Sequence, residues 1–142
     1  MLVRWATIQD IPMWEALSRE YDPYIAEIAV DFNKWYQGYH EYMTRKIEQH
    51  EAILAVNRMS GDCNGVIAFS RSHNRITFFA VSPKADHART AERLLCVTLR
   101  QLNSNRDITI NLPESNSEPL SADRSFFENN GFEFVQNVDI DG

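Results

Sequence analysis

Residues 81–95 read VSPKADHARTAERLL, and their types and order suit the binding of an anion such as a pyrophosphate. Val81 closes an apolar run, Pro83 interrupts it, and an amphipathic helical pattern opens a few residues later. The first amides of a helix have no intrahelical acceptor and lie at the positive end of its dipole, so such a turn can cradle phosphate oxygens. Glycine usually lines turns of this kind because it lets the backbone approach closely. This stretch has none. Asp86 suits a helix cap, and it opposes an anion if it faces one. Arg89 can add a charge-assisted contact, and His87 can add one when protonated. The main-chain amides from Asp86 through His87, Ala88, Arg89 and Thr90 to Ala91 do not depend on those side chains. The alternative is an ordinary capped helix that holds no anion.

Two other groups of residues have chemical potential. Cys63 and Cys96 lie in separate apolar-leaning segments without C-x-x-C spacing. They read as two free buried thiols, with a disulfide or a metal site as the alternative. Before residue 43 the chain is rich in aromatics: Trp14, Tyr21, Tyr24, Phe32, Trp35, Tyr36, Tyr39 and Tyr42. Glu20, Asp22, Glu27 and Asp31 lie among them. Aromatic faces with carboxylates suit a cationic amine. They equally suit a pair of helices packed on a sheet.

The elements that must position these residues follow from periodicity. LVRWA, residues 2–6, is a short strand. Asp10 is the expected cap of a first helix with Ile11, Trp14, Leu17 and Tyr21 on one side, ended by Asp22-Pro23. Residues 24–34 hint at a short helix, and a second helix is predicted over 35–49. AILAV (52–56), VIAFS (66–70) and RITFFAV (75–81) are strands joined by the polar turns RMSGDCNG and RSHN, which favours antiparallel neighbours. A helix is predicted over 87–103 from Ala91, Leu94, Leu95, Thr98, Leu99 and Leu102. DITINL (107–112) is a strand, LSADRSFFENNG a helix closed by Gly131, and FEFVQNV (132–138) a last strand. The class is α+β, a mixed but mostly antiparallel central sheet with flanking helices, in a single domain over 1–142.

Composition narrows the function. The chain has 142 residues, 44% hydrophobic and 24% charged, with a net charge of -6. That charge argues against a broad nucleic-acid footprint. No window approaches the ~20 apolar residues of a membrane span, and no N-terminal signal is visible, so a cytoplasmic protein is expected.

Three stretches together resemble the GNAT superfamily of acyl-CoA-dependent N-acyltransferases. VRWATIQDIPMWEAL is similar to the family's opening strand and first helix. FFAVSPKADHARTAERLL is similar to its CoA-binding strand, turn and helix, and FFENNGFEF to its closing helix and strand. In the family a strand ending Val-x-Pro leads into a loop of Gln or Arg, Gly, x, Gly, x, Gly or Ala. Here Asp86 stands for the Gln or Arg, His87 and Arg89 for glycines, and Ala91 for the last small residue. The resemblance implies that residues 86–91 hold the CoA pyrophosphate and that Phe79, Ala80 and Val81 pair with the pantetheine arm.

It also implies acetyl transfer from acetyl-CoA to a primary amine of a small molecule or peptide, by direct attack in a ternary complex and without a metal. The strand RITFFAV lacks the carboxylate that many members place there, so Glu114 is the first-choice base, with Glu20 and Asp22 behind it. Phe127 stands where the family often has a proton-donating tyrosine; it can pack against pantetheine but donates nothing. Asn116 and Ser121 fall near the family's pantetheine-contacting polar positions. Members usually finish with a seventh strand, and this sequence stops at NVDIDG, so a partner, such as a second copy in a homodimer, is one source of that strand. The missing glycines, the missing carboxylate and Phe127 keep a non-catalytic alternative open, a domain of this fold that binds CoA, another ligand or a protein.

Overall fold

Short apolar runs separated by polar turns can bury themselves only by pairing, and five of them form one sheet. The computed structural model describes residues 1–20, 32–112 and 120–135. In chain order its elements are β1 (Leu2–Trp5), a 3-10 turn (Ile8–Asp10), α1 (Ile11–Glu20), α2 (Phe32–Glu48), β2 (Ala52–Val56), β3 (Cys63–Ser70), β4 (Arg75–Val81), α3 (His87–Leu99), β5 (Thr109–Ile110) and α4 (Leu120–Asn129). The strands lie in the order β1-β2-β3-β4-β5. The first four are antiparallel, and β5 joins β4 in parallel after the α3 crossover.

Helices cover both faces of the sheet, which is why β2 is buried along its whole length. On one face Trp14, Leu17, Tyr39, Met43 and Ile47 of α1 and α2 pack on Leu54, Val66 and Ala80. On the other, Leu94 and Leu95 of α3 and Phe127 of α4 pack on Ile53, Ile67, Phe69 and Ile76. Helix α3 comes so close that a Cβ on Gly65 would lie 2.9 Å from Leu94 Cδ1 and 3.0 Å from Thr90 Cγ2. The missing side chain there is a packing requirement.

Two irregularities shape β4. Its register with β3 steps from Ala68↔Phe78 to Phe69↔Ile76, so Thr77 is an extra residue, a bulge. Its pairing with β5 covers only Arg75↔Thr109 and Ile76↔Ile110. Asn74 holds this end closed. It is buried, sits at φ 52, and its amide donates to the Asn103 and Asp107 carbonyls, each at 3.0 Å. Its side-chain oxygen accepts from the Asn103 amide at 2.8 Å.

The predicted elements stand with some corrections. Asp10 does not cap α1. It lies inside the preceding turn, where its carboxylate accepts from the Thr7 amide at 2.7 Å and from Arg4 at 2.7 and 2.9 Å. Strand β3 begins three residues earlier than predicted, inside what reads as a turn, because Cys63 pairs with Val56 across a bulge. Helix α3 stops at Leu99, which is exposed, and the buried Leu102 belongs to the following turn. Strand β5 is two residues long. Helix α4 ends as predicted: Gly131 takes φ 91, its amide reaches the Glu128 carbonyl, and the Phe132 amide reaches the Phe127 carbonyl. Residues 132–135 form no strand, and 136–138 lie outside the described residues. Among the described residues no helix is long and apolar enough to cross a membrane.

Two expectations follow. Asn74→Ala removes three hydrogen bonds and puts a poor residue at positive φ, so it should cost on the order of 2–4 kcal/mol in urea unfolding. Arg4, through its hydrogen bonds, holds the Asp10 carboxyl below the usual range against the opposing effect of burial, with Thr7 helping. That stabilisation is present above the unfolded titration near about pH 4 and is lost as pH falls through the lower folded value. Asp10→Asn should therefore lower stability at neutral pH and flatten the acid limb of a stability–pH curve.

Candidate functional site

The candidate donor site lies along the edge of β4 beyond its pairing with β5. Pairing stops at Ile76, Thr77 bulges, and β4 runs on to Val81 with no strand on its β5 side among the described residues. Both residues of β5 are paired, so the rest of this edge of β4 adjoins no strand among the described residues, and α3 begins six residues past the end of β4. Phe79 is partly buried on the α3/α4 face, while Ala80 and Val81 are buried.

The turn from β4 into α3 is held by short-range bonds. The Ser82 amide donates to the Asn64 carbonyl at 2.8 Å, and the Ala85 amide to the Ser82 carbonyl at 3.0 Å. The Ser82 hydroxyl donates to Glu20 Oε2 at 2.9 Å, which ties the turn to the end of α1. Asp86 is extended (φ -69, ψ 104), and its carboxylate accepts from the Arg89 amide at 3.2 Å. The cap thus takes one first-turn amide for itself. The Thr90 amide bonds the Asp86 carbonyl at 3.1 Å. The amides of His87 and Ala88 have no hydrogen-bond partner among the described residues. The Arg89 side chain is exposed at this end, whereas Thr90 and Ala91 are buried against the sheet.

His87 replaces conformational freedom with a tether. Its Nε2 lies 2.7 Å from Asp123 Oδ1, with side-chain exposures of 25% and 3%. The pair fastens the first turn of α3 to α4. The imidazole also meets the rings of Phe79 and Phe126 edge-on. Phe126 stacks on Phe79 with centroids 6.1 Å apart and is partly buried. Phe127 is 1% exposed, enclosed by Phe79, Phe126 and Phe132. Of the two rings, Phe126 is the one nearer solvent.

A second cavity lies on the opposite face of the sheet, at the bulge. It measures about 300 Å³ and is lined by Gly38, Tyr39, Tyr42, Thr77 and Phe78. The Tyr42 hydroxyl hydrogen-bonds Thr77 Oγ1. Burial pushes the Tyr42 phenol up to about 12, so it stays protonated at neutral pH. The Trp14 indole donates to the Tyr39 hydroxyl at 2.9 Å, and Ser18 Oγ lies 3.1 Å from the same oxygen, which fixes the aromatic wall. Both cysteines are free, as expected, but only Cys63 is sheltered. Burial pushes its thiol up to about 12, so it is no nucleophile, and Cys96 is exposed rather than buried.

The structure therefore places Phe79, Ala80 and Val81 at the end of β4, residues 86–91 at the start of α3, and Tyr39 and Tyr42 in one pocket. Glu20 is drawn to the turn between β4 and α3 by Ser82. Glu114 and Asn116 lie outside the described residues, as do Tyr21, Asp22, Tyr24, Glu27 and Asp31. Ser121 is partly buried in the first turn of α4. Sequence reasoning missed Thr77 and Asp123. A bulge leaves no compositional mark, whereas an acidic residue in the first turn of α4 was a visible signal without an assigned partner.

Comparison with known proteins agrees with this architecture. A family profile described as an acetyltransferase (GNAT) domain matches residues 22–140. The chain belongs to the GNAT acetyltransferase family. Among solved structures it is similar to the PaiA N-acetyltransferase of Thermoplasma acidophilum in complex with coenzyme A, at 16% identity and TM-score 0.75, over 96% of this chain and 92% of that one. A GNAT-family acetyltransferase of Bacillus cereus matches at 16% identity and TM-score 0.68, over 99% and 89% of the two chains. A Mycobacterium tuberculosis protein in complex with CoA matches at 20% identity and TM-score 0.59, over 99% and 76%. At these identities the likeness is one of fold. No curated protein matches the sequence.

The His87–Asp123 tether can be weighed on its own. Asp123→Ala should lower unfolding stability by about 1–3 kcal/mol, since it strips a buried acceptor from its partners. In a double-mutant cycle with His87→Ala the coupling should reach about 0.5–2 kcal/mol. A coupling near zero would mean that the two side chains touch without holding α3 to α4.

Proposed function

We propose that this protein transfers an acetyl group from acetyl-CoA to the primary amine of a small molecule or peptide, by direct attack within a ternary complex. The observation that carries this reading is the edge of β4. Past Ile76 it has no strand beside it among the described residues, and it leads into a helix start whose His87 and Ala88 amides are unbonded. That arrangement fits the donor: a peptide-like arm along Phe79, Ala80 and Val81, and a diphosphate at the His87 and Ala88 amides with Arg89 beside them. The match to the family profile and the CoA-bound relatives support the same reading.

Acetyl-CoA supplies an activated thioester carbonyl. The chain's own residues orient and exchange protons. A β4 edge amide is the donor for the carbonyl oxygen as it gains charge. Glu114, four residues past β5, is our choice to take the proton of the attacking amine; the thioester C–S bond breaks as the amide forms, and the CoA thiolate takes its proton from water. The protonated Cys63 takes no part. Asp86 works against the donor's charge, because its carboxylate occupies the Arg89 amide next to the free ones.

A non-catalytic reading has one observation in its favour: Phe127, buried and without a proton to give, stands where a donor to the leaving thiolate is usual. Turnover decides between the two.

Calorimetric titration with acetyl-CoA should show saturable binding. Arg89→Ala should weaken it about 3–10-fold, as loss of one exposed charge-assisted contact. Asp86→Asn keeps the cap and removes the charge, so it should tighten binding several-fold with little change in stability. Glu114→Gln should slow transfer at least about tenfold while leaving donor affinity near wild type. Absence of acetyl-CoA binding would sink the proposal. Tight binding without transfer to a broad amine panel would select the non-catalytic reading.

A further inference from the structure

A second cavity adjoins the aromatic pocket and differs from it in charge. It measures about 540 Å³ and shares Tyr42 and Thr77 with the first. Its remaining walls come from the end of α2 and from the β3–β4 turn, including Arg45, Lys46, Glu51, Arg71 and His73. On a chain of net charge -6, three permanent cations and one carboxylate around a single cavity form a local reversal of sign.

The one carboxylate is already engaged. Glu51 Oε1 accepts from Lys46 Nζ at 3.3 Å, and Glu51 Oε2 accepts from the Arg71 amide at 2.7 Å. Lys46, only 9% exposed, also donates to the Phe69 carbonyl at 2.7 Å. An ammonium has three protons, and beyond these two bonds Lys46 Nζ lies over the Tyr42 ring, 5.9 Å from its centroid, at the wall shared with the aromatic pocket. The Arg71 guanidinium is held against Trp5 and Phe69 and bonds the Gln49 carbonyl and Gln101. Arg45 is exposed and forms no ion pair among the described residues. Ser70 and Ser72 add hydroxyls 3.1 Å apart.

Three features meet at Thr77: the last β4–β5 pair beside it, an aromatic pocket, and a cationic cavity. We infer that the acceptor is an amino acid or a closely related amine that carries an anionic group next to its amine and an apolar or aromatic side chain. The amine lies toward Thr77, the side chain against Tyr39, Tyr42 and Phe78, and the anionic group toward Lys46 and Arg45. An acceptor with two cationic groups meets the wrong charge here. This inference rests on the acyl-transfer reading and names its substrate class.

The test compares phenylalanine, phenylalaninamide, phenethylamine and 2-aminoethyl phosphate with the full chain, by equilibrium binding in the presence of CoA and by acetyl transfer. Phenylalanine should exceed its amide and phenethylamine by about tenfold or more in both measurements, the worth of one hydrogen bond to a charged group. The phosphate compound separates a phosphate-reading cavity from a carboxylate-reading one by whether it outcompetes phenylalanine. Arg45→Gln should reduce the preference for phenylalanine over phenethylamine about 3–10-fold. Lys46 and Glu51 are changed together, Lys46→Met with Glu51→Met, so that no buried charge is left alone, and the preference should collapse. Equal or better binding of phenethylamine overturns the inference. If acetyl-CoA binds and no amine is acetylated, acyl transfer falls, and the binding comparison still decides the cavity's charge preference.

Discussion

The structure depends on a pairing that is abandoned early. Strands β4 and β5 share only two residue pairs, and Asn74 bolts that end by bonding the loop before β5. Beyond it β4 keeps its β3 neighbour and no strand covers its other side among the described residues. Main-chain donors and acceptors on a buried strand require partners. Beyond Ile76 no β5 ladder bond reaches this edge of β4 among the described residues. The same parallel crossover sets the start of α3 just past the end of β4, where the His87 and Ala88 amides have no hydrogen-bond partner among the described residues.

The turn between β4 and α3 shows how side chains replace the freedom of glycine. A glycine-rich loop gains close approach at the cost of chain entropy. Here Asp86 caps, His87 ties α3 to α4 through Asp123, and Ser82 ties the turn to Glu20 of α1. The turn is fixed by three bonds from three elements. The consequence is electrostatic, since all three bonds end on carboxylates, those of Asp86, Asp123 and Glu20, around the place proposed for a diphosphate. Backbone amides and Arg89 act there against a background set by Asp86 and Glu20.

Thr77 links the two faces of the sheet. A bulge breaks the alternation of a strand, so Ile76 and Phe79 join the α3/α4 core while Phe78 and Ala80 join the α1/α2 core. The Tyr42 hydroxyl meets Thr77, which places α2 over the point where β5 departs. The last β4–β5 pair and the aromatic pocket thus both adjoin this one residue. Arg45 brings cationic character to the same place, while the buried Lys46–Glu51 pair is neutral overall and survives burial because each group also bonds the backbone.

Much of this protein was legible in the linear sequence. The strands over 52–56 and 75–81, the amphipathic α3 and the Gly131 stop of α4 follow from local periodicity and caps, and the order of elements carried the family and the fold class. The turn from β4 into α3 was legible for the same reason, because its residues are contiguous in the chain. What local pattern cannot encode is which partner a side chain finds. Asp10 reads as a cap and is instead the counter-ion of Arg4; Leu102 reads as helix and is a buried turn residue. The two-residue length of β5, the bulge at Thr77, the His87–Asp123 tether and the cation-lined cavity all join residues far apart in sequence. Propensity and periodicity act over a few residues and so decide the elements. Burial, charge pairing and strand pairing act across space and so decided the site.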